Sequence, residues 1–334
     1  NDGYYTYLYP EKARYYGFDY VNPKQNPSEY QSVGDKGVDF LTTEAIAFME
    51  RNIERPWFIF LSHHTVHNPV LAPRELVTKY LAKGYPEKGL HFAEYLASIE
   101  HLDHSVSRLN AKLKELGIEK NTVVIFLSDN GGIDTQFDNS PLRYGKGSAY
   151  EGGIRVPFMV QWPAEIEANR TCPLPVHVVD IYPTLLAMAG IERPVQQLLD
   201  GENLFPLLSG KKKEAQKFRN RPIYFYQPLY DIQWGAVPSA SMVKGNYKLI
   251  WFFHDYIDLD KNSQYKPEGR VELFDLKNDL GETNNLANAL PEQTARMKSA
   301  LEKWILSNGA EIPGVNPGFD PQKWNTRINP KKEE

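Results

Sequence analysis

Three short runs of this sequence are apolar almost without interruption: residues 57–62 (WFIFLS), 122–128 (TVVIFLS) and 155–162 (RVPFMVQW). A strand with one wet face alternates apolar and polar residues. An unbroken run therefore suggests a strand covered on both faces, as in a parallel sheet flanked by helices. The stretches between the runs carry the complementary signal. Across residues 91–116, Phe92, Tyr95, Leu96, Ile99, Leu102, Val106, Leu109, Leu113 and Leu116 recur every third or fourth position and give a helix one apolar face. Gly117 then stands where a left-handed C-terminal cap is expected. A second helix is expected over residues 40–51. A third is expected to start at Pro183, with Asp180 just upstream, and to end at Gly190. Helix alternating with strand predicts an α/β fold built on a doubly wound, largely parallel sheet.

The pattern changes after about Gly210. The basic run at 211–213 reads as a solvated loop. It is followed by a strand at 222–227, a hairpin over 240–253 turning at Gly245-Asn246, and a strand at 271–276 that ends in an Asn278-Asp279 turn. An amphipathic helix at 291–307 places Leu301, Trp304 and Ile305 on one side. The chain thus divides into a main α/β domain (1–210), a smaller C-terminal α+β subdomain (211–310) and an extended tail (311–334), which 334 residues can support. A net charge of −4 gives no electrostatic reason for a nucleic acid or an anionic membrane as partner. No apolar run reaches the ~18 residues needed to span a bilayer. Cys172 is the single cysteine, so an intrachain disulfide is excluded. The first thirty residues are Tyr-rich, aperiodic and begin without Met. Residues 1–10 carry no basic residue followed by an apolar stretch and do not read as a signal peptide, and the first thirty residues read as a loop cut from something longer.

In open α/β sheets, ligands gather beyond the carboxyl ends of the strands. After the first apolar run come His63, His64 and His67 (SHHTVHNP), and after the second come Asp129 and Asn130 (SDNGG). Before the third lies PLRYGKGSAYEGG, where Lys146 sits between Gly145 and Gly147. Asp129-Asn130-Gly131-Gly132 is compatible with a plain turn. It equally offers a carboxylate and an amide oxygen, the donors a hard cation such as calcium accepts among about six to eight in all. Glycine neighbours let the backbone at Lys146 come close to a ligand, although most lysines are simply at the surface. The spacing of His63, His64 and His67 hints at zinc, but Pro69 argues against a continuing helix and no Glu accompanies them.

Taken in order, these segments resemble the sulfatase family of the alkaline phosphatase-like superfamily. RPWFIFLSHHTVHNPVLAP resembles the family's strand and His-x-Pro loop. EYLASIEHLDHSVSRLNAKLKELGIEKNTVVIFLSDNGG resembles its long helix, strand and metal-binding turn. PLRYGKGSAYEGGIRVPFMVQWP resembles its lysine loop, VHVVDIYPTLLAMAGI the helix that follows, and VKGNYKLI with ELFDLKNDLGETNNLA its C-terminal subdomain. The resemblance covers roughly residues 37–307. It implies an alkaline phosphatase-like fold and a hydrolase of sulfuric esters acting on a small-molecule or oligosaccharide sulfate ester. It implies that Asp129 and Asn130 bind one calcium ion, that Lys146 contacts the sulfate, and that His67 contacts the sulfate and protonates the leaving oxygen. It assigns no role to His63 or His64. An exported location, periplasmic or extracellular, is implied by the family alone.

The family's nucleophile is a formylglycine made from a Cys or Ser that Pro follows two positions on and Arg four positions on. The sequence contains no such motif, and Cys172 is followed by Pro173-Leu174-Pro175-Val176. The family's upstream aspartate pair, lysine and histidine also have no match. These absences lead to the expectation that the N-terminal part of the sheet, on the order of 100–150 residues at ~30 or more per βαβ unit, belongs to a segment preceding this chain. They also lead to the expectation that the chain alone is inactive. Two other readings stand beside the sulfatase: a phosphate or phosphonate ester hydrolase of the same superfamily, and a non-catalytic binding protein on the same scaffold. The aromatic segment 226–234 (YQPLYDIQW) offers rings that could stack on sugars or pack internally. A sulfated carbohydrate is preferred over a sulfolipid or steroid because no segment seeks the membrane.

Overall fold

The computed structural model describes residues 37–229, 236–254, 269–314 and 317–318. The Tyr-rich start, part of the aromatic segment 226–234 and most of the tail lie outside the described residues. Contacts gather the chain into two compact units. The first runs to Val123 and takes in Thr135–Asp138 and Trp162–Ala164; the second holds Val124–Asp134, Asn139–Gln161 and everything from Glu165 onward.

The first unit is helical. Helices α1 (Val38–Arg51) and α2 (Arg74–Ala82) both pack on α3 (Ala93–Glu115). Gly117, at φ 70, ends α3 as its sequence suggests: its N–H bonds Lys114 O at 3.0 Å and the next N–H, of Ile118, reaches back to Leu113 O at 3.0 Å. These two bonds satisfy carbonyls that the helix end leaves open. The buried face of α3 departs from the apolar stripe. Tyr95 and Leu113 are buried, but so are Ala97, Ser98, His101 and Ser105, while Ile99 is exposed. Small side chains permit close approach to α1, and the hydroxyls there satisfy one another: Ser105 Oγ lies 2.6 Å from Thr42 Oγ1, which donates to Val38 O at 2.6 Å. Ion pairs from Arg108 to Asp39 (2.6 Å) and Lys112 to Glu50 (3.0 Å) flank this seam.

Among the described residues the strands do not form the expected parallel sheet. Strand β1 (Val124–Leu127) pairs with β2 (Phe158–Gln161) antiparallel, from Val124↔Gln161 to Leu127↔Phe158. Residues 57–62 carry no strand ladder among the described residues, and Phe58 and Phe60 are 66% and 83% exposed. An apolar run states that a segment wants cover; it does not encode the direction of its neighbour, which is why the expectation failed here. Between β1 and β2 lies a single helical turn, α4 (Glu151–Ile154). Helix α5 (Ile181–Met188) follows β2. It begins two residues before Pro183, which falls in the first turn where its missing N–H costs nothing, and Gly190 closes it with the same bonding pattern as Gly117. Two short turns, α6 (Phe205–Leu208) and α7 (Lys212–Ala215), lead into the C-terminal module.

That module is an antiparallel meander β3-β4-β5-β6 (Ile223–Gln227, Ser239–Lys244, Tyr247–Phe252, Arg270–Asp275) with helix α8 (Pro291–Ser307) on one face. Ala240, Met242, Leu249 and Leu273 meet Met297, Leu301 and Ile305 of α8, and Tyr224 stacks on Trp304 at 4.5 Å between ring centres. The opposite face presents Ile250, Phe252 and Phe274 to Tyr150. Cover on both faces explains why Ser239 to Val243 of β4 are all buried. The α+β module thus lies in the same compact unit as the β1–β2 pair and the loop carrying Lys146.

Candidate active site

Asp129 and Asn130 form the turn that leaves β1. Ser128 anchors it, its N–H to Pro157 O (3.3 Å) and its hydroxyl to Asn130 O (2.9 Å). Asp129 Oδ1 accepts from the Asn130 N–H at 2.9 Å, and Asn130 Nδ2 donates to Gly131 O at 2.9 Å. That second bond commits the amide nitrogen and turns the amide oxygen away, the atom a hard cation takes. The Gly131 N–H bonds Gly153 O at 3.0 Å, and a Cβ on Gly131 would fall 1.7 Å from Gly152 O. Only glycine permits that approach.

The same turn holds the lysine loop. The Lys146 N–H donates to Gly132 O at 2.9 Å, and Asn139 Nδ2 bridges Gly132 O (3.0 Å) and Tyr144 O (3.1 Å). Three of the residues singled out in the sequence, Asp129, Asn130 and Lys146, therefore sit in one cluster of loops within one compact unit. Asn139, which the sequence does not distinguish, clamps the two loops together. Beneath them Tyr150 is buried, with its hydroxyl donating to Glu272 Oε2 at 2.7 Å and Arg143 stacked over its ring at 4.3 Å. Burial, and secondarily the Glu272 carboxylate, push the Tyr150 phenol far above its usual range.

His67 belongs to the first unit. Its Nδ1 lies 2.9 Å from Asn68 O; a carbonyl only accepts, so Nδ1 carries a proton. Gln136 Nε2 donates to Asn68 Oδ1 at 2.8 Å and steadies the same loop. His64 meets His67 edge to face at 5.3 Å. His63, without a role from sequence, acquires one: Nε2 lies 3.0 Å from Ser105 Oγ. Thr42 gives its proton to Val38 O, so Ser105 must give its own to Thr42, and His63 Nε2–H then donates to Ser105. His63 pins the histidine loop to α1 and α3.

Among the described residues, no group of three or more His, Cys, Asp and Glu stands close enough to hold a metal ion. Asp129 and Asn130 supply two oxygens of the kind calcium takes, fewer than its usual shell. Their chemistry fits a calcium ligand pair; by number they would be part of a larger set.

Comparison with known proteins bears on this arrangement. The family described as "Sulfatase" matches residues 2–191, and "N-sulphoglucosamine sulphohydrolase, C-terminal" matches 143–308. A sulfatase of Formosa agariphila is 30% identical over 84% of this chain and 50% of its own length. The steryl-sulfatase of Mus musculus is 30% identical over 89% of this chain and 47% of its own. Among solved structures, that of Ps i-CgsB in complex with k-i-k-neocarrahexaose superposes with a TM-score of 0.69 at 25% identity, over 88% of this chain and 60% of that one. A phosphonate monoester hydrolase from Silicibacter pomeroyi shares the fold, with a TM-score of 0.58 at 20% identity over 81% of this chain and 60% of its own. The chain spans about half the length of the curated relatives it matches.

Proposed function

The chain belongs to the sulfatase family, and from that premise we propose that it forms part of a sulfuric ester hydrolase whose substrate is a sulfated carbohydrate. The observation that carries this reading is the hydrogen bond from the Lys146 N–H to Gly132 O, which fastens a lysine between two glycines to the turn bearing Asp129 and Asn130. A sulfate ester holds negative charge on its non-bridging oxygens, and more develops on the leaving oxygen as the S–O bond breaks. Lys146 offers a cation to the first. His67 is proposed to offer a proton to the second from Nε2, which matters most where a sugar alkoxide must depart. Asp129 and Asn130 would hold calcium, which supplies further charge neutralisation when bound.

The nucleophile is proposed to be the family's formylglycine, which nothing in these 334 residues can supply. An exported location is proposed with it. A saccharide is favoured because a solved relative is named with k-i-k-neocarrahexaose, and because no helix among the described residues is long and apolar enough to cross a membrane. The experiment is sulfate release from sulfated oligosaccharides by the product of the complete reading frame, against aryl phosphate as control. Activity on the sulfate esters that falls at least about a hundredfold in Lys146→Ala supports the reading. Phosphate ester hydrolysis without sulfate release overturns it.

A further inference from the structure

We propose that Glu282 is a positioning residue for the Lys146 loop, acting through a buried ion cluster shared with Lys248 and Glu151 and through its backbone carbonyl, which Arg143 holds. This rests on reading Lys146 as the sulfate contact. Glu282 lies in the segment after β6, more than a hundred residues from the loop, yet its side chain is fully buried. It also holds φ 52, a left-handed conformation that a glutamate adopts only when its surroundings impose it.

Each of its polar groups reaches a different element. Oε1 lies 2.8 Å from the Lys248 ammonium of β5, itself fully buried. Oε2 accepts the Glu151 N–H at 2.6 Å, at the start of α4. The backbone oxygen accepts from Arg143 Nη1 at 2.9 Å. Arg143 precedes Gly145-Lys146-Gly147 and Glu151 follows it, so one residue holds both ends of the lysine loop. Lys248 closes the cluster at 3.0 Å from Glu151 Oε1, and Arg155 lies 3.2 Å from Glu151 Oε2.

Such a cluster is an inefficient way to gain stability, because desolvating the ions offsets most of their attraction and an apolar set of equal volume does as well or better. What it does provide is a fixed conformation. An ammonium meant to meet an anion is most effective when its loop is already in place and needs no rearrangement. Tyr144, Ala149 and Tyr150 pack on the C-terminal module, but Gly145 and Gly147 beside Lys146 carry no side chains, and Glu282 fixes the segments on either side of them.

The test uses the 334-residue chain, backbone-amide NMR and inorganic sulfate as probe. Two quantities are read: hydrogen-exchange protection of the Lys146 amide, and the sulfate dissociation constant from shifts at residues 145–147. Variants are Glu282→Ala, Glu282→Gln, Arg143→Met and, as a control in the distant core of the same sheet, Leu301→Ala. In Glu282→Ala, Lys146 protection should be lost and sulfate binding should weaken about tenfold. Glu282→Gln, which keeps an oxygen for the Glu151 N–H, should recover part of both. Leu301→Ala should lower the melting temperature and leave both readouts alone. Should Glu282→Ala fail to fold, Arg143→Met, which removes the bond to the Glu282 backbone together with the stacking on Tyr144 and Tyr150 but leaves the Glu282 carboxylate in place, must show the same loss of protection. Wild-type protection and affinity in the Glu282 and Arg143 variants would overturn the proposal, as would an equal loss in Leu301→Ala. If wild-type sulfate shifts do not depend on Lys146, tested with Lys146→Ala, the assignment of Lys146 fails instead and the proposal falls with it.

Discussion

In the second unit Asp180 is fully buried between Arg221 and two backbone donors. Arg221 Nη1 and Nη2 each donate to one of its oxygens at 2.6 Å, and the N–H groups of Glu202 and His177 each donate at 2.8 Å. Burial alone would raise the carboxyl pKa, but Arg221 and the N–H donors outweigh it and hold the group below the ordinary range. The unfolded chain then binds more protons than the folded one just below pH ~3.9, so this stability is complete above that pH and lost as pH falls through the folded value. His177 adds a second step. Burial pushes its pKa down, and its Nδ1 accepts the Val179 N–H at 3.2 Å, a bond only the neutral ring can make. Here too the unfolded state holds the extra proton, so stability declines as pH drops below ~6.5. Urea melts between pH 8 and 3 should show both steps; His177→Gln should remove the upper one, and Arg221→Met should cost about 3–5 kcal/mol at neutral pH by stranding a buried charge. Legibility at this scale depended on local pattern. Asp129, Asn130 and Lys146 stood out because oxygen donors followed an apolar run and glycines flanked a lysine. Asn139 and Glu282 were invisible because each is one polar residue whose partner is set by the fold, for Glu282 at a sequence separation of 131.

Elements were legible where periodicity is local. Helices α1, α3, α5 and α8 and the hairpin of β4 and β5 fall within a few residues of their expected positions, because a 3.6-residue stripe and a Gly-Asn turn are written in adjacent residues. Strand pairing is written nowhere locally, and there the parallel sheet failed. Two outcomes follow for these elements. Leu301 lies fully buried where α8 meets the meander, so Leu301→Ala should cost about 2–5 kcal/mol in a denaturant titration, with the spread set by how far the core can collapse around the cavity. Phe60 is 83% exposed in the extended segment, so Phe60→Ser should leave the melting midpoint nearly unchanged. The same change should reduce concentration-dependent light scattering, since exposed apolar residues on an extended segment promote association.

For the whole molecule, five weak segments in a fixed order carried the family where no single one did, because order is a far rarer coincidence than any motif. The same breadth shows what these residues do not supply. A working sulfatase site needs a nucleophile and enough oxygens to hold its cation. The chain has no Cys or Ser in the required Pro and Arg setting, and the described residues bring together no acidic or histidine trio beside Asp129 and Asn130. If Asp129 and Asn130 were its protein donors, calcium, which takes about six to eight oxygens, would be held by a minority of its usual set. Each missing carboxylate also leaves more of the ion's charge to be solvated by water instead. Calorimetric titration of this chain with calcium should accordingly give a dissociation constant weaker than about 10⁻⁴ M, at the loose end of the range seen for oxygen-ligand sites. Micromolar binding would mean that donors beyond Asp129 and Asn130 already complete the shell. Saturating the chain with calcium should likewise produce no turnover of an aryl sulfate, since the ion and Lys146 can neutralise charge but cannot attack sulfur. Steady sulfate release under those conditions would require a nucleophile other than formylglycine, and the mechanism proposed for this chain would have to be abandoned.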